Sequence, residues 1–325
     1  MRLAVAVERW PIAGRFTISR GSRTEATVVV ATVQAGDVVG RGECVPYTRY
    51  GETVEGVAAE IEAQWQLLEH GLDRHALQQQ VPAGAARNAL DCALWDLEAK
   101  RSGRRAWEVA GLAAPHAVTT AYTLSLGTPA EMRVAAEAAS ARPLLKVKLG
   151  GAGDAARIRA VREGAPQATL VVDANEAWRA DTVAENLSAC EAAGVALIEQ
   201  PFPAGDDAAL DGLRTHIPIC ADESFHDRRS FDAVAVRYQA INIKLDKTGG
   251  LTEALVVSAM ARARGLKIMV GCMLGTSLAM APAMLLAGQA DFVDLDGPLL
   301  LAKDRAPGLR YAGSLVSPPE AALWG

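Results

Sequence analysis

Apolar and polar positions follow two different patterns along the chain. Over residues 1–115, apolar and polar positions alternate in runs such as 1–10 and 27–33, which predicts strands. Helical periodicity then takes over at 53–69 and 85–101. From about residue 116 onward, short apolar runs alternate with alanine-rich amphipathic segments, as in repeated βα units. The pattern therefore predicts two regions, the first of them a compact α+β unit.

The second region repeats one strand and one helix. Its strands are expected to begin near residues 118, 143, 169, 195, 217, 239, 267 and 290. Eight strands at this spacing fit a closed parallel barrel better than an open sheet. We predict an α/β fold: an N-terminal α+β capping domain over 1–115 and a modified (β/α)7β barrel of the TIM type over 116–297. A tail over 298–325 lacks the last helix and returns to the capping domain.

One segment requires a test as a membrane span. Residues 268–290 hold no charged side chain over 23 positions, which is long enough to cross a bilayer. Gly271, Gly275 and Pro282 interrupt the segment, however, and predict a buried strand, a turn and a helix. The first ten residues do not have the pattern of a signal peptide. We therefore expect no membrane partner.

Composition narrows the class of protein. Half of the residues are hydrophobic and 22% are charged, which disfavours disorder. The net charge is -5, so no overall basic field attracts nucleic acid. Five scattered cysteines without a CxxC pair indicate neither a disulfide framework nor a thiolate zinc site. These features predict a globular protein of a reducing compartment, the cytoplasm.

Acidic side chains end three successive strands of the predicted barrel. Asp173, Glu199 and Asp222 are 26 and 23 residues apart, about one βα unit each, so their carboxylates converge at one edge. Clustered carboxylates repel one another and need a cation, and oxygen ligands suit Mg²⁺ or Mn²⁺ rather than Zn²⁺. Any one of the three could instead be a helix N-cap. Three in successive units, beside strands that carry lysines, favour a metal site.

Lysines inside apolar strands point to proton transfer. Lys146 and Lys148 share one face of the second strand, and Lys244 follows the sixth strand, across the barrel axis. A partly desolvated amine beside another cation has a lowered pKa and can accept a proton near neutrality. Two such amines on opposite sides of a metal site would remove a proton from one face of a carbon and return one to the other. The metal would stabilise the enediolate formed between these steps.

These residues stand in motifs that resemble those of the enolase superfamily, muconate-lactonizing subgroup, a group known for a lysine or histidine base used with Mg²⁺. The motifs are Lys146-x-Lys148, Asp173-x-Asn175, Glu199-Gln-Pro201, Ala221-Asp222-Glu223-Ser224 and Ile243-Lys244. Asp294-x-Asp296 resembles the pair that holds the α-ammonium group in dipeptide epimerases. The resemblance extends over the whole chain and is strongest to the bacterial epimerases of L-Ala-D/L-Glu.

The resemblance implies a role for each position. Asp173, Glu199 and Asp222 would bind Mg²⁺, and Lys148 and Lys244 would be the two acid/base residues. Substrate would be bound by Arg23, Thr123, Lys146, Cys272, Leu274, Asp294 and Asp296, with Arg23 pairing with the side-chain carboxylate of the substrate. The implied reaction is 1,1-proton transfer at the α-carbon of the C-terminal residue of L-Ala-D/L-Glu, in murein-peptide recycling. The expected partner is a dipeptide, and the oligomeric state, a homo-oligomer included, is left open.

Alternatives remain at this point. The substrate could be another L-Ala-L-Xaa dipeptide, or the reaction another enediolate reaction such as cycloisomerisation or dehydration. A metal-binding barrel without catalysis would not require lysines on both sides. Gly151-x-Gly153-x-x-Ala156, with Asp173 20 residues beyond Gly153, has the outline of a dinucleotide-binding fingerprint. Against it, Asp154 would put a negative charge beside the pyrophosphate.

Overall fold

The computed structural model describes residues 1–325. An antiparallel sheet comes first, with strands in the order β1 (Arg2–Ile18), β2 (Gly21–Ala35) and β3 (Val38–Cys44). A 3-10 turn (Thr48–Tyr50) and five helices follow. The helices are α1 (Val54–Glu62), α2 (Trp65–Glu69), α3 (Arg74–Gln80), α4 (Ala85–Ser102) and α5 (Ala106–Val109).

Helix α4 lies directly on β3 because two glycines of that strand allow it. A Cβ atom on Gly40 would lie 2.2 Å from Ala93 O, and one on Gly42 would lie 2.1 Å from Ala89 O. Both glycines therefore serve a close approach of helix and strand. Between α4 and the sheet lies a core of aliphatic residues from β2 and from helices α1 to α4.

Eight parallel strands then form the barrel, in chain order. They are β5 (Tyr122–Leu124), β6 (Leu144–Lys148), β7 (Thr169–Asp173), β8 (Val195–Glu199), β9 (Ile219–Ala221), β10 (Ala240–Ile243), β11 (Lys267–Val270) and β12 (Phe292–Val293). The hydrogen bond from Ala121 N to Val293 O, 2.7 Å long, joins the first strand to the last. The predicted α/β barrel is confirmed.

Helices connect most of the strands. They are α6 (Pro129–Ala138), α7 (Asp154–Gly164), α8 (Val183–Ala192), α9 (Arg228–Ala235), α10 (Leu245–Thr248), α11 (Leu251–Ala263) and α12 (Ser277–Ala287), with α13 (Gly297–Leu300) after β12. A 3-10 turn (Asp207–Leu210) alone connects β8 to β9. Residues 268–290 hold the end of β11, a loop and α12, as predicted. No helix here has both the length and the apolar character needed to cross a membrane.

The start of the barrel and the tail pair with each other. The expected first strand near residue 118 is a separate short strand, β4 (Val118–Thr119), which pairs with the tail hairpin of β13 (Tyr311–Ala312) and β14 (Leu315–Val316). The barrel strand itself begins four residues later. Further along, the tail contacts the first sheet and α4: Arg305 pairs with Glu8 at 2.7 Å, and Gly325 N donates to Asp96 Oδ1 at 2.7 Å.

A layer of side chains, one from each strand, fills the lower end of the barrel. Its members are Ala121, Leu144, Val171, Leu197, Cys220, Ala240, Met269 and Phe292. Because side chains alternate along a strand, the residue two positions further on each strand also points into the barrel, one level higher. That higher level holds Lys146, Asp173, Glu199, Asp222, Asn242 and Asp294. The apolar layer is thus the floor of the candidate site.

Candidate active site

Each carboxylate of the predicted trio has one oxygen held by a donor that is not one of the three predicted lysines. The three contacts are Asn175 N to Asp173 Oδ1 (3.0 Å), Asn242 Nδ2 to Glu199 Oε1 (2.7 Å) and Lys247 Nζ to Asp222 Oδ1 (2.6 Å). Such contacts fix the orientation of a ligand group before it binds anything.

The second oxygen of each carboxylate faces a lysine of the sequence prediction. Lys148 Nζ lies 2.6 Å from Asp173 Oδ2, and Lys244 Nζ lies 2.6 Å from Asp222 Oδ2. Lys146 Nζ lies 2.7 Å from Glu199 Oε2, and it also contacts Asp173 Oδ2 at 3.3 Å. The structure therefore brings together all three lysines and all three carboxylates.

The trio fits a hard divalent cation. One oxygen from each of Asp173, Glu199 and Asp222 lies within 4.8 Å of the others, and all three residues are buried. Glu199 Oε2 has no hydrogen-bond partner, since the nearby Lys146 amine lies outside hydrogen-bond geometry. A buried set of oxygen donors with an unsatisfied member suits Mg²⁺-type coordination rather than zinc. These residues could hold a metal ion.

The charges of the protein alone raise, rather than lower, the pKa of two of the three lysines. Burial lowers the pKa of Lys244, but the charges of Asp222, Glu199 and Glu223 together outweigh burial and the net shift is upward. Burial likewise opposes the charges of Asp294 and Glu199 at Lys146, whose pKa is raised well above its usual value. The expectation considered the neighbouring cations and omitted how closely the carboxylates approach the amines.

The pKa values of the trio are shifted in different directions. Burial favours the neutral form of Asp173, but the charges of Lys148 and Lys146 lower its pKa to about 2. Burial and then the Asp173 charge raise the pKa of Glu199 to about 6. Glu199 is thus the member that most lacks compensating positive charge.

A cavity of about 410 Å³ opens above the trio, between the barrel and the capping region. Lys148, Asp222 and Lys244 line it from the barrel, and Cys272 and Leu274 line it from the loop after β11. Arg23, on β2, lines it from the capping side. The other predicted site residues do not line this cavity and are buried below or beside it; they are Thr123, Lys146, Asp173, Glu199, Asp294 and Asp296.

Arg23 presents a guanidinium without a carboxylate partner. Its Cζ lies 5.8 Å from the centroid of the Tyr47 ring. Arg20, three residues earlier, is by contrast paired with Glu223 at 2.7 Å and with Glu176 at 3.1 Å. Of these two arginines, only Arg23 is therefore free for an anionic ligand.

Asp294 and Asp296 form an acidic pair after β12. Asp294 Oδ2 accepts from Lys146 Nζ at 2.8 Å, whereas Asp294 Oδ1 is buried without a hydrogen-bond partner. Asp296 Oδ2 accepts from Thr123 N at 2.6 Å. Burial, and then the charge of Asp294, raise the pKa of Asp296 to about 7. A cationic donor between the two carboxylates would give Asp294 Oδ1 a hydrogen-bond partner and would offset the negative charge that the two groups share.

The glycine-rich segment after β6 is not free to hold a pyrophosphate. The Asp154 carboxylate accepts from Gly151 N at 2.7 Å and from Gly150 N at 3.0 Å. Trp178 Nε1 donates to the same carboxylate at 3.0 Å. The loop amides that a nucleotide would need are thus occupied.

Sequence reasoning missed three residues of the site. Asn242 donates to Glu199. It could have been predicted, because it is a polar residue in an apolar strand and lies two positions before Lys244, on the same face of that strand. Lys247 donates to both Asp222 O and Asp222 Oδ1, and nothing in the spacing indicates this. Glu176 contacts the capping region through a loop whose course the sequence does not specify.

Two protein-family models match the chain. Residues 1–111 match the mandelate racemase / muconate lactonizing enzyme N-terminal domain, and residues 130–299 match the enolase C-terminal domain-like family. The chain belongs to the enolase superfamily. The match to the superfamily includes both the capping region and the barrel.

Individual members of the superfamily are similar over nearly the full chain. An L-Ala-D/L-Glu epimerase from Escherichia coli (strain K12) is 49% identical over 94% of this chain and 95% of its own. An N-acetyl-D-glutamate racemase from Pseudoalteromonas is 45% identical over 92% and 95%. A crystal structure of an enolase family member from Agrobacterium tumefaciens, with homology to dipeptide epimerases and with bound sodium and L-Ala-L-Glu, is 55% identical with a TM-score of 0.97 and covers 99% of both chains.

Proposed function

We propose that this protein is an isomerase, a cytoplasmic dipeptide epimerase that interconverts L-Ala-D-Glu and L-Ala-L-Glu. The observation that carries the proposal is the arrangement of Lys148 and Lys244 on opposite strands of one barrel, with Asp173, Glu199 and Asp222 between them. In the proposed division of the chain, residues 1–115 cap the site, 116–297 carry its chemistry and 298–325 join the two.

The two lysines act on one carbon from opposite sides. One amine, in its neutral form, accepts the α-proton of the C-terminal residue, and the electron pair of that bond moves into the adjacent carboxylate to give an enediolate. The other lysine, in its ammonium form, donates a proton to the opposite face, so the configuration inverts. Asp173, Glu199 and Asp222 would hold a divalent cation such as Mg²⁺, which would supply positive charge beside the reacting carboxylate.

The ends of the substrate have complementary groups in the site. Arg23 pairs with the side-chain carboxylate of the Glu residue, because a guanidinium offers two parallel donors to a carboxylate. Asp294 and Asp296 receive the α-ammonium group, which supplies the donor that Asp294 Oδ1 lacks. Cys272 and Leu274 border the space for the alanine residue. Thr123 holds Asp296 through its backbone N–H, and Lys146 supports the reacting carboxylate.

A second candidate follows from the similarity to an N-acetyl-D-glutamate racemase. N-acetylglutamate has the same acidic side chain and α-proton as the Glu residue, but it has no ammonium group. The buried Asp294 and Asp296 favour a cationic ligand over a neutral acetyl group. They disfavour cycloisomerisation and dehydration of purely anionic substrates for the same reason.

Incubation in D₂O with Mg²⁺ tests the proposal directly. The panel contains L-Ala-L-Glu, L-Ala-D-Glu, L-Ala-L-Leu and N-acetyl-L-glutamate, and NMR follows the α-proton of the last residue together with its configuration. We expect deuterium at the Glu α-carbon and a mixture of both epimers from either L-Ala-Glu substrate. Exchange of N-acetylglutamate in preference to both of these would favour the racemase, and no exchange with any dipeptide would refute the proposal.

A further inference from the structure

Glu176 is the residue at which two segments of the capping region meet the barrel. It follows β7, three residues after Asp173, and its side chain is only 10% exposed. Arg49, from the 3-10 turn, donates to both of its oxygens, with Nη2 at 2.8 Å from Oε1 and Nε at 2.9 Å from Oε2. Arg20, from the tip between β1 and β2, donates to Oε2 at 3.1 Å.

The barrel holds this carboxylate in place. Ala204 N, in the loop after β8, donates to Glu176 Oε1 at 2.8 Å. Glu176 and its neighbour Asn175 both have left-handed backbones, with φ of 66° and 45°. Such a conformation is costly for residues other than glycine, so it persists only where the surroundings require it. The loop therefore presents Glu176 to the capping segments in one fixed position.

The same contacts decide which arginine remains available. Arg20 also donates to Glu223 Oε1 at 2.7 Å and to Tyr47 Oη at 3.0 Å, so its donors are engaged on several sides. Arg49 is engaged by both oxygens of Glu176. Arg23 alone among these three arginines has no carboxylate partner, and it lines the cavity.

We propose that Glu176 is a positioning residue that latches the hairpin tip (residues 19–20) and the turn (residues 47–50) onto the rim of the barrel. The latch keeps the cavity closed and occupies Arg20 and Arg49, so that the substrate meets Arg23. The part that concerns the substrate rests on the proposed function. The part that concerns the two capping segments stands on the contacts alone.

Loss of the latch affects binding more than chemistry. Without it the segments spend more time away from the barrel, and the apparent affinity falls in proportion to the closed fraction. At saturation the dipeptide itself bridges Arg23 and the barrel, which restores the closed form. The expected signature is a raised KM with a nearly unchanged kcat.

Glu176→Gln tests the latch, because it removes the charge and one acceptor while the side-chain volume stays the same. The matched control is Glu185→Gln, an exposed residue of α8 with the same change in charge. We expect KM for L-Ala-L-Glu to rise about tenfold with kcat within about threefold in Glu176→Gln, and no change in the control. Arg49→Met should match Glu176→Gln, and the double variant should be less than about twofold worse than either.

Deuterium uptake measured by mass spectrometry gives a readout that does not depend on turnover. In Glu176→Gln without dipeptide, peptides over residues 13–23 and 47–52 should take up deuterium faster than in the wild type, while barrel peptides stay unchanged. Unchanged uptake in both peptides, faster uptake over the whole barrel, or a loss of kcat at constant KM would each overturn the latch. If the wild type epimerises no dipeptide, the proposed function fails, and the uptake comparison still tests the latch.

Discussion

Lys148 and Lys244 stand on β6 and at the end of β10, four strands apart in either direction around the eight-stranded barrel. Each amine lies 2.6 Å from a different carboxylate, Asp173 for one and Asp222 for the other. The two amines are therefore separated by the carboxylate trio and approach the cavity from opposite sides. Each lysine should then serve one face of the substrate.

Removal of one lysine should uncouple proton exchange from inversion. In Lys148→Ala and Lys244→Ala we expect epimerisation to fall about 10³-fold or more, because each direction needs both residues. Each variant should still exchange the α-proton of one epimer for deuterium with retention, and the two variants should choose opposite epimers. NMR of pure L-Ala-L-Glu and L-Ala-D-Glu in D₂O measures this. Exchange of the same epimer by both variants would contradict a two-sided site.

Removal of metal should abolish turnover and lower stability. The lysines compensate the three buried carboxylates only in part, since the pKa of Glu199 is raised to about 6. A ligand that binds only the folded state stabilises it by about 2.7 kcal/mol at 100 times its Kd. Chelation should eliminate exchange, and Mg²⁺ should restore it and raise Tm. Asp173→Asn should weaken the rise in Tm, which calorimetry measures against a matched Asp181→Asn control. An equal rise in both variants would place the cation elsewhere.

Arg23 should determine the preference for an acidic second residue. A charged hydrogen bond contributes about 1.5 to 3 kcal/mol, so Arg23→Met should lower kcat/KM for L-Ala-L-Glu by about 10- to 100-fold. L-Ala-L-Leu should lose far less, because it makes no such contact. Arg15→Met, an exposed arginine of the same hairpin, is the control. Equal losses for both dipeptides would mean that Arg23 acts on something other than the side-chain carboxylate.

Asp246 should make stability fall as the pH rises. Burial raises its pKa to about 7, although Val45 N and Asn88 Nδ2 donate to Oδ1. Between about pH 4 and pH 7 the folded protein holds a proton that the unfolded chain has released, which costs about 1.4 kcal/mol of stability per pH unit. Asp246→Asn should remove this component. Urea unfolding over this pH range, with Mg²⁺ present, measures how the unfolding free energy changes with pH in Asp246→Asn and in the control Asp181→Asn. Identical slopes in the two variants would contradict the prediction.

The contact between β3 and α4 should not accept a methyl group. Gly42→Ala forces Cβ against Ala89 O, so backbone must move at a cost of about 1 to 3 kcal/mol. Gly212→Ala is the control, because nothing lies within 4 Å of its added Cβ. Urea midpoints should fall for Gly42→Ala and stay constant for Gly212→Ala. An unchanged midpoint for Gly42→Ala would mean that helix and strand separate easily.

Strand periodicity predicted most of the barrel because it is a local property. The interval between Asp173 and Glu199 equals one βα unit, and parallel strands bring equivalent positions to the same edge. The start of the first barrel strand was misplaced because residues 118–119 pair with β14, nearly 200 residues away in sequence. No local pattern reports such a pairing.

The site could be predicted in its residue types but not in its distances. Polar residues in apolar strands reveal Lys146, Lys148 and Lys244 from spacing alone. The direction of the pKa of Lys244 depends on its 2.6 Å approach to Asp222, which spacing does not give. Glu176 escaped prediction for a similar reason, since its partners Arg20 and Arg49 come from a different part of the chain and meet it only through a left-handed loop.

The apolar layer that contains Ala121 and Phe292 closes the lower end of the barrel, so a ligand reaches the cavity from the side of the capping region. A dipeptide and its epimer enter and leave the cavity on this same side, and they differ only in the configuration of one carbon. Substrate and product therefore compete for one cavity, and each epimer should act as a competitive inhibitor of the reaction of the other.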